Sequence, residues 1–479
     1  MANPSRDTLL MLVVFVIGAL LNYSYNIAMG WLLLPDQYGI LGVAISLLSI
    51  LSLFVASAFP FTVAKFLSED NENSVKNRVF KSSLAGNLII ALLISFIFYA
   101  LYEFGIIHLG GTYRPFVLLI MLGLVFSSIG GVYSSALQGM FRFKKFGFVG
   151  IISTLAKLIF AILLVSLGFG AMGAFSGIIA STIAGLLLAV IFSSDFKYWK
   201  TEGWADKKIY SFALPIFFGT FFMTLLMNLD ILGVKFLSEN VFSDKLTGYY
   251  RSALILAELP VFAVGALMGA MFPYISKYSS TNNNYSNKTL KYAVLIICPI
   301  SIALFAIPSS MMALVFPPSY AAAADALGML ALGMGLFVVI TVLSGIFQAM
   351  HQPRVPAIIL MLSIVADIIA LVFLVPQYGI FGAAASTTIA CIIGFLGLAV
   401  AYLKYEILEI DLNKVLKILI SYILFGTLVF ILPHDTKLLT IIDLLSSSIL
   451  YVLVLFLLRL LKDEDIKIIM SGFTVSIKN

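Results

Sequence analysis

"GIFQAMHQPRVPAIILMLSIVADIIALVFLVPQYGIFGAAASTTIACIIGFLGLAV", residues 345–400, occurs twice in this chain. Its altered copy is "SALQGMFRFKKFGFVGIISTLAKLIFAILLVSLGFGAMGAFSGIIASTIAGLLLAV", residues 135–190. Gln348 answers to Gln138 and Met350 to Met140 at a spacing of 210. After a one-residue slip, Gly379-x-x-Gly382-Ala383 answers to Gly170-x-x-Gly173-Ala174. Apolar segments resemble one another by chance, but shared Gln, Met and Gly punctuation is not a by-product of apolarity. Upstream, "YGILGVA" at 38–44 is similar to "TGYYRSA" at 247–253, and Phe59-Pro60 to Phe272-Pro273. The chain reads as an internal duplication.

Both copies are apolar enough to lie in lipid. Of 479 residues, 61% are hydrophobic and 11% charged, and the mean hydropathy is +1.09. A soluble domain carries about 25% charged residues. The expected fold class is therefore an all-α polytopic membrane protein. A span needs about 20 apolar residues, and charge, Pro and Gly breaks separate about fourteen runs. They lie near 9–34, 39–64, 82–102, 116–140, 146–168, 172–193, 210–236, 249–275, 292–316, 322–349, 356–375, 380–403, 415–432 and 440–461. The first run is too long for a signal-peptide core and ends without a small-residue cleavage site, so it is expected to be retained. The repeat spacing covers six runs, an even number, so the two halves are expected to be parallel and related by an axis along the membrane normal. The expected organisation is a six-helix lobe over 1–200, a second over 201–404, and two further helices with a tail over 405–479.

The basic residues sort by loop. With the N-terminus in the cytoplasm, 23 Lys and Arg fall on the cytoplasmic side and 3 (Arg114, Lys245 and Lys437) on the other, while Lys157, Lys235 and Arg251 fall in or beside spans. The positive-inside rule then puts both termini in the cytoplasm. Charge spread over many short loops makes no nucleic-acid stripe. Cys298 and Cys391 sit in separate apolar runs, and the three His are scattered near loops, so neither a disulfide framework nor a metal site is expected. No phosphate-binding G-x-x-x-x-G-K-[ST] occurs. The loops expected outside are too short to carry a catalytic domain, which argues against a membrane enzyme such as a glycan polymerase.

Within this apolar background, two charges stand at matched places. Asp367 lies mid-run in the second copy, and its counterpart in the first is Lys157. An ionised Asp at the bilayer centre costs at least about 2.5 to 3.5 kcal/mol. Either each charge is satisfied locally, with Lys157 snorkelling, or the two lobes have diverged in role. Arg251 beside Tyr249 and Tyr250 is suited to phosphate oxygens, or to anchoring at an interfacial aromatic belt. Glu258 follows it by seven residues on nearly the same face. Asn22, Tyr23, Asn26 and Asn228 offer uncharged hydrogen-bonding groups suited to sugars, or to contacts between helices. Pro60, Pro215, Pro260, Pro273, Pro299 and Pro308 are expected bending points.

The order of these features resembles the multidrug/oligosaccharidyl-lipid/polysaccharide exporter superfamily, and within it the polysaccharide flippases. The residues that carry the resemblance are "LLLPDQYG" after the first run, "FALPIFFGTFFMTLLMNLDILGVKFLS" in the seventh and "TGYYRSALILAELPVFAVGALMGAMFPYISKY" in the eighth. The resemblance implies a transporter that flips a lipid-linked (polyprenyl diphosphate) oligosaccharide across the cytoplasmic membrane by alternating access. Its partners would be the glycolipid, the bilayer and glycan-assembly enzymes. It implies a substrate cavity, for which Arg251, Asn22, Tyr23, Asn26, Asn228, Glu258 and Lys157 are the candidates. It also implies a cation site for Na+ or H+ coupling at Asp230, Ser363 and Asp367, with Thr387 as a looser candidate, and no other cofactor. Lipid II flippases carry several cavity arginines, including in the first helix, where this chain has Asn. The alternative function is a cation-coupled multidrug antiporter of the same fold.

Overall fold

A computed structural model describes residues 4–56, 58–69, 72–194, 203–205, 213–238, 242–278, 284–350, 352–405, 412–434 and 436–460. Among these residues all regular structure is helical. Packing divides the chain into two compact units, Met1–Phe236 with Asn240–Gly248, and Leu237–Glu239 with Tyr249–Asn479. This boundary follows contacts and the 200/201 boundary follows duplication; the stretch between them packs with the first unit.

The first unit runs through α1 (Pro4–Leu32), α2 (Pro35–Ala56), α3 (Ala58–Ser68), α4 (Asn73–Glu103), α5 (Arg114–Gly139), α6 (Phe143–Leu164), α7 (Gly170–Phe192), α8 (Ala213–Leu226) and α9 (Leu229–Leu237). The helix α10 (Ser243–Ala257) begins in the first unit and ends in the second. The second continues with α11 (Leu259–Tyr278), α12 (Asn284–Ala306), α13 (Pro308–Val315), α14 (Ala324–Ala349), α15 (Arg354–Lys404), α16 (Leu412–Ile431) and α17 (Lys437–Leu457). Nine helical stretches among the described residues are long and apolar enough to cross a membrane, or ten with the bent pair α8–α9. Large apolar side chains lie open on their outer faces, Phe96 at 70% and Phe373 at 64%, as lipid-facing residues must.

The duplication is written into the backbone. Helices α5 and α14 end on Met140 (φ −84°, ψ 10°) and Met350 (φ −83°, ψ 11°), the two matched methionines. After them come the two long hairpins. Gly170 (φ 52°, ψ −139°) and Gly379 (φ 56°, ψ −131°) take nearly the same conformation, one that L side chains scarcely reach. There the chain doubles back. A Cβ at Gly177 would come within 2.7 Å of Ala161, and one at Gly185 within 2.7 Å of Ser153. In α15, Gly394 faces Ser363 and Gly397 faces Ile359 in the same antiparallel way, at 2.8 Å each. Each hairpin therefore supplies two passes.

In the second copy the chain breaks at Glu258 before Pro260; Ser57, just before Pro60 in the first copy, lies outside the described residues. Pro273, matched to Pro60 by sequence, lies inside α11. Of the expected bending points, Pro260 and Pro308 adjoin breaks, whereas Pro60 sits within α3 and Pro299 within the unbroken α12. Pro215 lies within the described part of α8. Among the described residues one span bends by 45° at Met227-Asn228 with no proline beside it.

Candidate transport and cation sites

In the first unit, the amine of Lys157 on α6 donates to Asn22 Oδ1 on α1. It also stands 4.5 Å from the centre of the Tyr25 ring, close enough for cation–π attraction. Tyr25 is three residues beyond Asn22, hence on the same helical face. Its own hydroxyl donates to the Ala174 carbonyl at 3.1 Å, just past the Gly170 reversal. Asn26 Nδ2 donates to the Asn22 carbonyl at 3.0 Å, and Tyr38 OH to the Asn26 carbonyl at 3.1 Å. The ammonium is thus held by α1 rather than snorkelling. Of the sequence candidates this brings together Lys157, Asn22 and Asn26, while Tyr23 lies half-buried on the same helix.

Asn228 and Asp230 sit at the α8–α9 bend. Asn228 Nδ2 donates to the Thr224 carbonyl at 2.9 Å, and Asp230 Oδ1 accepts from the Ile231 N–H at 2.8 Å. The bend exposes the first N–H groups of α9, and a carboxylate in a helix's first turn is stabilised by them and by the helix dipole. Asp230 itself is 0% exposed.

In the second unit, Ser363, Asp367 and Thr387 are enclosed on the facing arms of α15, at 0%, 0% and 1% exposure. Ser363 faces Gly394 of the returning arm, and Asp367 follows one turn later on the same face. Ser363 Oγ donates to the Ile359 carbonyl and Thr387 Oγ1 to the Ala383 carbonyl, both at 3.1 Å. Hydroxyl oxygens are ligands of the kind that suits a hard cation. Tyr250 OH approaches Thr387 Oγ1 at 3.4 Å. Arg251, the next residue along, is buried on α10 and does not sit in an exposed aromatic belt. Glu258 occupies the α10–α11 break itself, where the helical face it was expected to share with Arg251 ends. Asp230 packs with the first unit and the other three cation candidates with the second.

Sequence reasoning passed over Tyr25 and Tyr250, although both stand one helical turn or less from residues it chose. It also passed over a cluster of Lys235, Asp244 and Tyr113, in which Tyr113 stands 131 residues from Asp244. No local signal announces such a cluster.

Two doubled-back hairpins, broken spans with polar groups at the breaks and buried charges define a polytopic helical protein of transporter architecture. Residues 28–325 match the family described as polysaccharide biosynthesis protein, and the chain belongs to that family. It is 23% identical, over 67% of its length and 68% of the relative's, to a probable low-salt glycan biosynthesis flippase of Haloferax volcanii. Among solved structures, its fold is similar to that of the lipid II flippase MurJ in an inward closed conformation. That match has a TM-score of 0.70 and 18% identity, covering 93% of this chain and 98% of the other. An inward-facing multidrug resistance transporter of the MATE family follows at a TM-score of 0.59 and 15% identity, covering 82% and 98%.

Proposed function

We propose that this protein flips a lipid-linked oligosaccharide across the cytoplasmic membrane by alternating access, with no chemical step. Its helices make fourteen crossings: the hairpins count twice, α8–α9 and α10–α11 cross as broken spans, and α16 crosses with α17. Both termini lie in the cytoplasm. One observation carries the substrate class: Arg251, a fork-shaped cation suited to phosphate oxygens, is buried on α10 of a polysaccharide-biosynthesis chain. The groups around Lys157 and Asn228 supply hydrogen bonds to sugar, and Tyr23 and Glu258 are further polar groups for the same task. Arg251→Ala is expected to abolish outward appearance of the glycan, read by lectin labelling of intact cells, with membrane abundance unchanged. Arg251→Lys should rescue it partly, since a point charge cannot form two parallel bonds. Normal flipping in Arg251→Ala overturns the assignment.

Asp367, Ser363 and Thr387 bind the coupling cation. Sodium should raise the melting temperature of the purified wild type by mass action and leave Asp367→Asn unmoved. A proton-coupled site shows a pH dependence in place of the sodium effect. The part of Asp230 is decided by a double-mutant cycle: if Asp230→Asn adds nothing to Asp367→Asn, both serve one ion, and additive losses remove Asp230 from it. The buried carboxylate also suits a cation-coupled drug antiporter, in which case drug efflux and not glycan display would follow Asp367.

A further inference from the structure

At the end of the first unit where α1 gives way to α2, backbone meets backbone. A Cβ added to Gly39 would overlap the Asp244 carbonyl and lie 2.7 Å from the Gly248 nitrogen. One added to Gly248 would overlap the Pro35 carbonyl and lie 3.1 Å from the Gly39 nitrogen. Gly39 and Gly248 are repeat partners in "YGILGVA" and "TGYYRSA", and Pro35 and Asp244 stand at the same spacing of 209. The contact is therefore reciprocal: each glycine touches the partner's equivalent residue, as happens at a two-fold axis.

The side chains beside this seam are not symmetric. Lys235 Nζ lies 2.7 Å from Asp244 Oδ1 and 3.1 Å from Ser243 Oγ. Tyr113 OH donates to the same Asp244 oxygen at 2.5 Å, and the ammonium stands 4.9 Å from the Tyr113 ring centre. Tyr113 belongs to the first copy, Lys235 and Asp244 to the second, so the cluster ties one copy to the other. We propose that the glycine seam and the Lys235–Asp244–Tyr113 clasp form a latch that holds the transport path shut at this end and opens once in each cycle. The proposal rests on the alternating-access part of the function above, and not on the identity of the glycan.

Two features distinguish a latch from permanent packing. Smooth backbone surfaces without interdigitated side chains can part without repacking, unlike the core near the other end of this unit, where Phe80 packs edge-on against Tyr133 at 5.1 Å among Val63, Val132 and Leu137. The Asp244 side chain is 30% exposed where Lys235 is 8% exposed. Water can replace the partners of Asp244 when the clasp opens, which keeps the closed state from being irreversibly favoured.

The test places a reporter thiol at Asn22→Cys in a background without Cys298 and Cys391, and measures labelling by a membrane-impermeant maleimide from each face. Asp244→Asn and Tyr113→Phe should raise the labelling rate from the latch face by about ten-fold, in keeping with loss of a hydrogen bond to a charged group. Gly248→Ala, which cannot reclose against the Pro35 carbonyl, should raise it further. Lys235→Arg keeps the charge and should stay slow. Unchanged labelling in Asp244→Asn and Tyr113→Phe overturns the latch, and Asp244→Asn alone decides should Gly248→Ala fail to accumulate. Labelling needs no glycan, so a wrong substrate leaves this result standing.

Discussion

The hairpin of 143–192 and the hairpin of 354–404 share a backbone and differ in charge. Both reverse at a glycine of nearly identical conformation, Gly170 and Gly379. At matched places one holds Lys157 and the other Asp367. The difference shows which property lipid constrains. Backbone groups in a bilayer must be satisfied within the helix or by close neighbours, so a reversal has few solutions and duplication preserves it. A buried charge needs only local partners, and these can change. Lys157 has Asn22 and the Tyr25 ring, and so brings its own cation. Asp367 is enclosed beside Ser363 on arms that also carry Thr387, a set of oxygens in place of an ammonium.

The backbone half of this comparison breaks most readily at the reversals. Gly379→Val and Gly170→Val should each lose most folded protein in fluorescence-detected size exclusion, because a β-branched residue at these dihedrals costs at least about 1 to 3 kcal/mol. Gly150→Ala, where an added Cβ meets nothing within 4 Å, is the control and should accumulate normally. Normal accumulation of Gly379→Val would mean that the reversal is not fixed by this residue.

The charge half is tested next. Lys157→Gln should lower flipping by about ten-fold or more, since it removes both a charged hydrogen bond and a cation–π contact, yet keep the sodium-induced rise in melting temperature. Asp367→Asn should lose both. If Lys157→Gln also abolishes the sodium effect, the two hairpins are not separable in role.

Much of this was legible in the sequence because it is periodic or punctuated. The span positions came from apolar runs, and the duplication from Gln138, Met140 and the glycines. The breaks were only partly legible. Proline marks where a helix can bend, but Pro299 stays within α12 while the 45° bend falls at Met227-Asn228, so neighbouring packing decides which opportunity is used. The clasp was not legible at all: Tyr113 and Asp244 lie 131 residues apart, and nothing in either segment specifies the other. The grouping of Asp230 with the first unit was equally hidden, since duplication marks homology and not packing.

A smaller effect is expected at Asn87 of α4. Its Nδ2 donates to the carbonyls of Val55 on α2 at 2.9 Å and Ser128 on α5 at 2.8 Å. Asn87→Ala leaves both acceptors without this donor in a buried place and should destabilise by about 1 to 3 kcal/mol. A melting temperature within error of wild type would show that α2 and α5 need no such tie.

The smallest effect falls where the two copies are least alike. Helix α4 of the first copy runs unbroken without proline, whereas its counterpart α12 contains Pro299. Pro299 has no N–H for the Leu295 carbonyl, its partner one turn earlier. Tyr451 OH, from the appended helix α17, donates to that carbonyl at 2.9 Å, and Tyr422 OH of α16 donates to the adjacent Val294 carbonyl at 3.0 Å. The appended pair thus supplies the bond that the proline removes. Tyr451→Phe should cost about 1 kcal/mol, the net worth of one hydrogen bond, read as a lowering of the melting temperature by a few degrees. In a Pro299→Ala background, the restored N–H satisfies Leu295, and the same Tyr451→Phe change should cost measurably less. Equal costs in both backgrounds would mean that the tyrosine packs against α12 without answering its proline, and that the extra helices and the bend arose independently.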